Sequence, residues 1–102
     1  MSGFVLIRIE LDPEAEAELE SAVDWHLSQS RAAADRFADV YERAVEAIYQ
    51  FPEIGRPLGG GLRRLNLART DYAIIYRLRD DTATVIALAH ASRRPGYWRE
   101  RP

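Results

Sequence analysis

The stretch Tyr72-Ala73-Ile74-Ile75-Tyr76-Arg77-Leu78-Arg79, then Asp80-Asp81, then Thr82-Ala83-Thr84-Val85-Ile86-Ala87-Leu88-Ala89-His90, decides the fold. Two runs rich in β-branched, aromatic and aliphatic residues flank a pair of turn-forming aspartates, the pattern of a tight hairpin. Immediately upstream, Leu62-Arg63-Arg64-Leu65-Asn66-Leu67 is a third strand-like run, and Ala68-Arg69-Thr70-Asp71 offers the turn that joins it to the hairpin. Strands over 62–68, 71–79 and 83–90 make an antiparallel meander. Downstream the chain changes character: Arg93-Arg94-Pro95-Gly96-Tyr97-Trp98-Arg99-Glu100-Arg101 is a short basic, aromatic tail.

Further upstream the period changes from two to 3.6. Asp12-Pro13-Glu14 is a helix start, with Asp at the N-cap, Pro at the first helical position and acids in the first turn. Ala15, Leu19, Ala22, Val23 and His26 recur at helical spacing, which predicts helix one over 13–28, with Glu14, Glu16, Glu18, Glu20 and Asp24 mostly on its solvated side. Ser28-Gln29-Ser30 supplies N-cap candidates for a second helix, and Phe37, Val40, Tyr41, Ala44, Val45, Ile48 and Phe51 carry its stripe until Pro52 ends it. So short a link forces an antiparallel helical hairpin. Phe4 to Ile9 alternates as a first strand, and 52–61 is a loop by its prolines and glycines. The triplet Gly59-Gly60-Gly61 has a helix and loop before it and a strand after it, the reverse of a phosphate-cradling loop, so it is a connector. A helical hairpin covering one face of a mostly antiparallel sheet is a two-layer α+β fold.

The chain of 102 residues is read as one domain spanning 1–102, with 47% apolar and 29% charged residues. It has no cysteine, which removes disulfides, thiolate metal sites and a Cys nucleophile. Two distant histidines make a poor metal site, and no apolar run spans a bilayer. The N-terminus lacks the basic region and cleavage site of a signal peptide, so a cytoplasmic location is expected. All fourteen basic residues are arginine, which excludes lysine chemistry and leaves planar forks suited to carboxylates, phosphates and aromatic faces. The net charge of −2 is divided: residues 1–53 hold four arginines against twelve acids, and residues 54–102 hold ten against four. One face of the molecule is therefore expected to be cationic.

The order of elements resembles the RelE/ParE toxin superfamily of type II toxin–antitoxin systems: N-terminal strand, helical hairpin, three-stranded antiparallel meander, short basic C-terminal tail. The likeness is carried by Asp24-Trp25, Arg36-Phe37, Phe51-Pro52-Glu53-Ile54-Gly55-Arg56-Pro57, Arg63-Arg64-Leu65, Tyr72 to Arg77, and His90 to Trp98, and is greatest to the ParE branch. It implies a toxin that inhibits DNA gyrase by binding, without chemistry of its own, and that is silenced by a ParD-like antitoxin. The RelE branch instead cleaves messenger RNA on the ribosome. A third possibility is a non-toxic interaction protein that retains the fold.

The RelE pattern finds partial counterparts in Arg64, Arg93 and Tyr97, but Asn66 and Ala73 replace two expected cations. Each such loss costs about 10²-fold where a reaction depends on electrostatic stabilisation. A binding toxin is thus expected, with no cofactor or metal. Arg93, Arg94, Tyr97, Trp98 and Arg99 are the expected target contacts, with Trp98 packing and Arg93 and Arg94 free for a partner. Val23, Phe37, Val40 and Tyr41 are the expected antitoxin contacts, with strand 83–90 or 62–68 as the sheet edge. His26 and His90 are expected to be packed rather than catalytic. A pI near 5.7 argues against nucleic acid as the main target, so DNA is expected to be met only through the antitoxin.

Overall fold

The computed structural model describes residues 7–101. Strand β1 (Arg8–Leu11) leads into helices α1 (Pro13–Gln29) and α2 (Arg31–Gln50), followed by β2 (Arg56–Gly59), β3 (Leu62–Asn66), β4 (Tyr72–Arg79), β5 (Thr82–His90) and a short 3-10 helix, Tyr97–Glu100. One sheet has the order β1-β5-β4-β3-β2; β1 runs parallel to β5 and every other pairing is antiparallel. The α+β class, helical hairpin and meander are as expected.

A single residue, Ser30, joins the helices. Its N–H closes α1 on the His26 carbonyl at 3.0 Å, and its Oγ accepts the Ala33 N–H at 2.9 Å to open α2. Asp12 holds the α1 N-cap position, but its side chain makes no cap bond. Its backbone N–H donates to Val85 O at 2.9 Å instead, so the turn from strand to helix is fixed by the sheet. Between hairpin and sheet lies the main core, where Ala15, Ala22, Phe37 and Ile48 meet Leu67, Ile74, Tyr76, Val85 and Leu88. A smaller cluster on the other sheet face contains Leu62, Ile75, Ile86, Ala87, Ala89 and Trp98.

Three expectations need correction. Among the described residues the first strand runs over 8–11 and so continues past the expected end at Ile9, because its end is set by the pairing of Leu11 with Val85; Phe4, Val5 and Leu6, where the strand was expected to begin, lie outside the described residues. The segment 52–61 is not all loop: Arg56–Gly59 pairs with β3 as an edge strand, where Pro57 and a bulge between Pro57 and Gly59 are tolerated. The expected sheet edges, 83–90 and 62–68, are each covered over their first part only: among the described residues β1 flanks the former as far as Val85 and β2 the latter as far as Arg64.

The Phe51-to-Pro57 motif has a mechanical explanation. The Tyr76 hydroxyl, fully buried, donates to Pro52 O at 2.6 Å and accepts the Gly55 N–H at 2.9 Å. Arg63 Nη1 adds bonds to Glu53 O (2.9 Å) and Gly55 O (2.7 Å). A Cβ on Gly55 would lie 2.8 Å from Tyr76 Oη and Cε1 and 3.0 Å from Arg63 Cβ. Gly55→Ala is therefore expected to lower stability by about 1–3 kcal/mol, as overpacking does. Urea denaturation checks this, and an unchanged midpoint would mean that the loop yields freely.

Candidate functional site

The site begins where β5 outruns its neighbour. β1 pairs with β5 only as far as Val85, and Ile86 has no partner on β4, so the register shifts there. This bulge turns both Ile86 and Ala87 toward the tail-side cluster and returns Leu88 to the helix side. It also leaves backbone groups at the outer edge of β5 that no strand satisfies. Glu18 of α1 takes their place on one side, its Oε1 accepting the Leu88 N–H at 3.0 Å. Arg101 completes the closure, donating from Nη1 to Ile86 O and to Glu18 Oε1, both at 2.9 Å, and from Nη2 to Glu18 Oε2 at 3.1 Å. The Tyr97 hydroxyl donates to Glu18 Oε2 at 2.5 Å.

Glu18 and Arg101 side chains are only 15% and 13% exposed, so these bonds act in a partly dehydrated setting. Burial alone raises the Glu18 carboxyl. The bonds from Arg101, Tyr97 and Leu88, with the Arg101 charge, outweigh that and hold it below the usual carboxylate value. The same pocket pushes the Tyr97 phenol well above its usual range, first by burial and then by its bond to Glu18 and that carboxylate's charge. Glu18 was expected on the solvated face. Its true place was signalled by its spacing, three after Ala15 and four before Ala22, both buried.

The anchored tail shapes a cleft. Trp98, 4% exposed, packs in the tail-side cluster, and Gly96 adopts φ 74° to start the 3-10 turn. The Arg93 guanidinium lies 3.9 Å from the Tyr97 ring centroid, and that of Arg99 lies 4.8 Å from Trp98. Beside them a cleft of about 310 Å³ is lined by Arg56 and Leu58 of β2, Arg64 of β3, Ala89 and His90 of β5, and Arg93, Arg94, Tyr97, Trp98 and Arg99 of the tail. Five arginines and no acid face it. Among the described residues, Arg56, Arg64, Arg94 and Arg99 make no ion pair, and Arg93 reaches Glu18 only at 3.7 Å. Arg64 is steadied instead by Asn66 Oδ1, 3.1 Å from its Nε.

The structure thus gathers Arg64, Arg93, Arg94, Tyr97, Trp98 and Arg99 around one cleft. It adds Arg56, which sequence reasoning missed along with β2. Arg56 and Arg64 are direct cross-strand partners, a like-charge pairing that opposes folding.

Val23, Phe37, Val40 and Tyr41 do not share one surface. Phe37 is 2% exposed, stacked on His26 at 4.4 Å, and Val23, Val40 and Tyr41 are half-buried against the main core. Val40 faces a shallow pocket with Phe37, whereas Tyr41 faces a groove with Ile9, Leu11, Val45 and Tyr49. Among the described residues, the large apolar side chains that are exposed are Trp25, Leu27, Tyr49, Phe51 and Ile54. His26 Nδ1–H donates to Ala22 O at 2.7 Å, and His90 Nδ1 accepts the Ser92 N–H at 3.0 Å; both are half-buried, packed rings.

The family model for the ParE toxin of the parDE type II toxin–antitoxin system matches residues 9–95. The chain belongs to the ParE toxin family. A solved chain from the chromosomal ParDE toxin–antitoxin system of P. aeruginosa superposes with a TM-score of 0.71 at 17% identity, covering 85% of this chain and 98% of that one. At that identity the likeness is one of fold. A search of curated proteins finds no match. No helix among the described residues is long and apolar enough to cross a membrane.

Within this ParE-family fold, Glu18 predicts a pH signature. Its carboxyl lies below the usual value of 4.5 when folded, so its contribution is fully present above that pH and is lost as pH falls through the folded value. Glu18→Gln is expected to cost about 1–3 kcal/mol at neutral pH and to flatten the acid limb of stability. Urea midpoints across the acid range test this, and equal acid slopes in both proteins would disconnect the network from folding.

Proposed function

We propose that this toxin acts in the cytoplasm by binding DNA gyrase, without catalysis, and that a ParD-like antitoxin neutralises it. The observation that carries the proposal is the match to the ParE family over residues 9–95, which spans both helices, the sheet and the start of the tail. Target contact is assigned to Arg93, Arg94 and Arg99 at the cleft rim, with Tyr97 and Trp98 as the packed support that holds them. The antitoxin is assigned to the helical hairpin, where Val23, Val40 and Tyr41 are half-buried over buried Phe37; because Val40 and Tyr41 face different grooves, a wrapping segment meets them in turn rather than along one helix face.

A binding mode without chemistry is supported by the state of Tyr97. Proton transfer in RNA cleavage needs a group whose pKa lies near working pH. The Tyr97 hydroxyl is bonded to Glu18 and pushed the opposite way. Two positions where the nuclease branch carries cations hold Asn66, committed to Arg64, and Ala73, fully buried.

Purified toxin is expected to trap linear DNA in a gyrase cleavage assay at micromolar concentration, and its antitoxin to abolish the effect. Absence of any change in supercoiling or cleavage would overturn the gyrase assignment. Tyr97→Phe is expected to retain growth inhibition within about threefold once folded, because only a supporting bond of about 1 kcal/mol is lost. Complete loss of toxicity, with ribosome-dependent messenger RNA cleavage in the parent but not the variant, would establish the nuclease instead.

A further inference from the structure

The arginine cleft shares two of its lining residues with a neighbouring hollow. At His90 and Arg93 it meets a second hollow of about 320 Å³ between α1 and β5, bordered by Ser21, Ala22, Trp25 and Tyr72. That hollow shares Trp25, Tyr72 and His90 with a third, of about 550 Å³, which extends to Arg69 and Thr70. The three hollows thus adjoin one another through shared walls around the end of the sheet, with guanidinium groups at one end and aromatic rings, beside Asp71, at the other.

We propose that these hollows together bind single-stranded nucleic acid, its phosphates held by Arg56, Arg64 and Arg94 and a base laid against Trp25 and Tyr72. Four observations support it. Guanidinium forks match phosphate oxygens, and the cleft lining contains no carboxylate to compete for them. Setting Arg56 opposite Arg64 opposes folding unless an anion relieves the repulsion. Trp25 is 58% exposed yet set square to the His26 ring at 5.0 Å, and Tyr72 is set near-perpendicular to His90 at 4.8 Å, so the rings that would meet a base are already oriented. Of the two acids along the three hollows, Glu18 is neutralised by Arg101, and Asp71 lines only the ring-end hollow and not the arginine cleft. In a duplex the base faces are already stacked on one another, so the ring end selects for a single strand.

Whole-chain charge conceals this site. The net −2 and low pI average acids concentrated on the helices with arginines gathered on the other side. With screening over about 8 Å at physiological salt, a strand in the cleft senses the arginines first. The expectation of no direct nucleic-acid contact came from that average.

The test is fluorescence anisotropy with the purified full chain alone, using labelled oligo-dT, oligo-U of equal length, the matched duplex and a poly-glutamate peptide. Saturable binding of a single strand, at least about tenfold tighter than the duplex and weakening steeply between roughly 50 and 200 mM salt, is expected. Preference for oligo-dT or oligo-U supports the site and assigns DNA or RNA as its source. The double substitution Arg56→Ala, Arg94→Ala should weaken binding about tenfold or more and lower the salt slope. Trp25→Ala should weaken it about fivefold or more with the slope unchanged. All three side chains are exposed, so thermal midpoints should stay within a few degrees and separate lost binding from lost folding. No saturable binding at low salt, equal binding of duplex, tighter binding of poly-glutamate, or folded variants that bind like the parent would each overturn the proposal. No gyrase is present, so failure here leaves the gyrase assignment standing.

Discussion

The unpaired outer edge of β5 beyond Val85 is the constraint around which the rest of the molecule is arranged. A strand that continues past its neighbour exposes backbone groups, and burying them unpaired costs on the order of 1–3 kcal/mol each. Here a carboxylate from α1 and a guanidinium from the tail stand in for the missing strand. Each charged group alone would be costly in that setting; together they neutralise one another and satisfy the edge. Because Glu18 sits on the first helix and Arg101 near the end of the chain, closing the edge also fixes the tail across the sheet. The arginine cleft is a product of that fixation, since its far wall is the tail itself.

The two sheet faces divide the labour. The helix side carries the larger core, and its polar exceptions are tied down: the Tyr76 hydroxyl spans Pro52 and Gly55, so the return from α2 into β2 is held from below. The tail side is small, and Trp98 does most of the covering with Leu62, Ile75, Ile86 and Ala87 beneath it. This asymmetry leaves the rim of the tail side open, and the rim is where the arginines emerge.

Periodicity made most of this fold legible. Both helices and the three meander strands are strongly periodic, and they fall within one to two residues of their expected limits. β2 was hidden because Pro57 and the glycines after it resemble a loop, and an edge strand with a bulge can accept them while a central strand cannot. β1 runs past its expected end because alternation marks which residues face the core but does not mark where pairing stops. The site was half legible. Arg64, Arg93, Arg94 and Arg99 stood out by composition, yet their gathering depends on long-range contacts with no local signature, notably Glu18 with Arg101. Glu18 itself lay in an evenly spaced run of acids, where its neighbours masked it.

The parallel pairing of β1 with β5 has a consequence for how the molecule is made. β1 leaves the ribosome early, but Thr82–Val85, its partner, is synthesised after both helices and the other three strands. The helical hairpin is held by contacts local in sequence, whereas the sheet that covers it closes through pairings distant in sequence, which are slow to form. The hairpin's apolar face is therefore covered only when those pairings form, and the contact that closes the β5 edge waits for Arg101. The arginine cleft is completed last, because its tail wall is set only when Arg101 reaches Glu18.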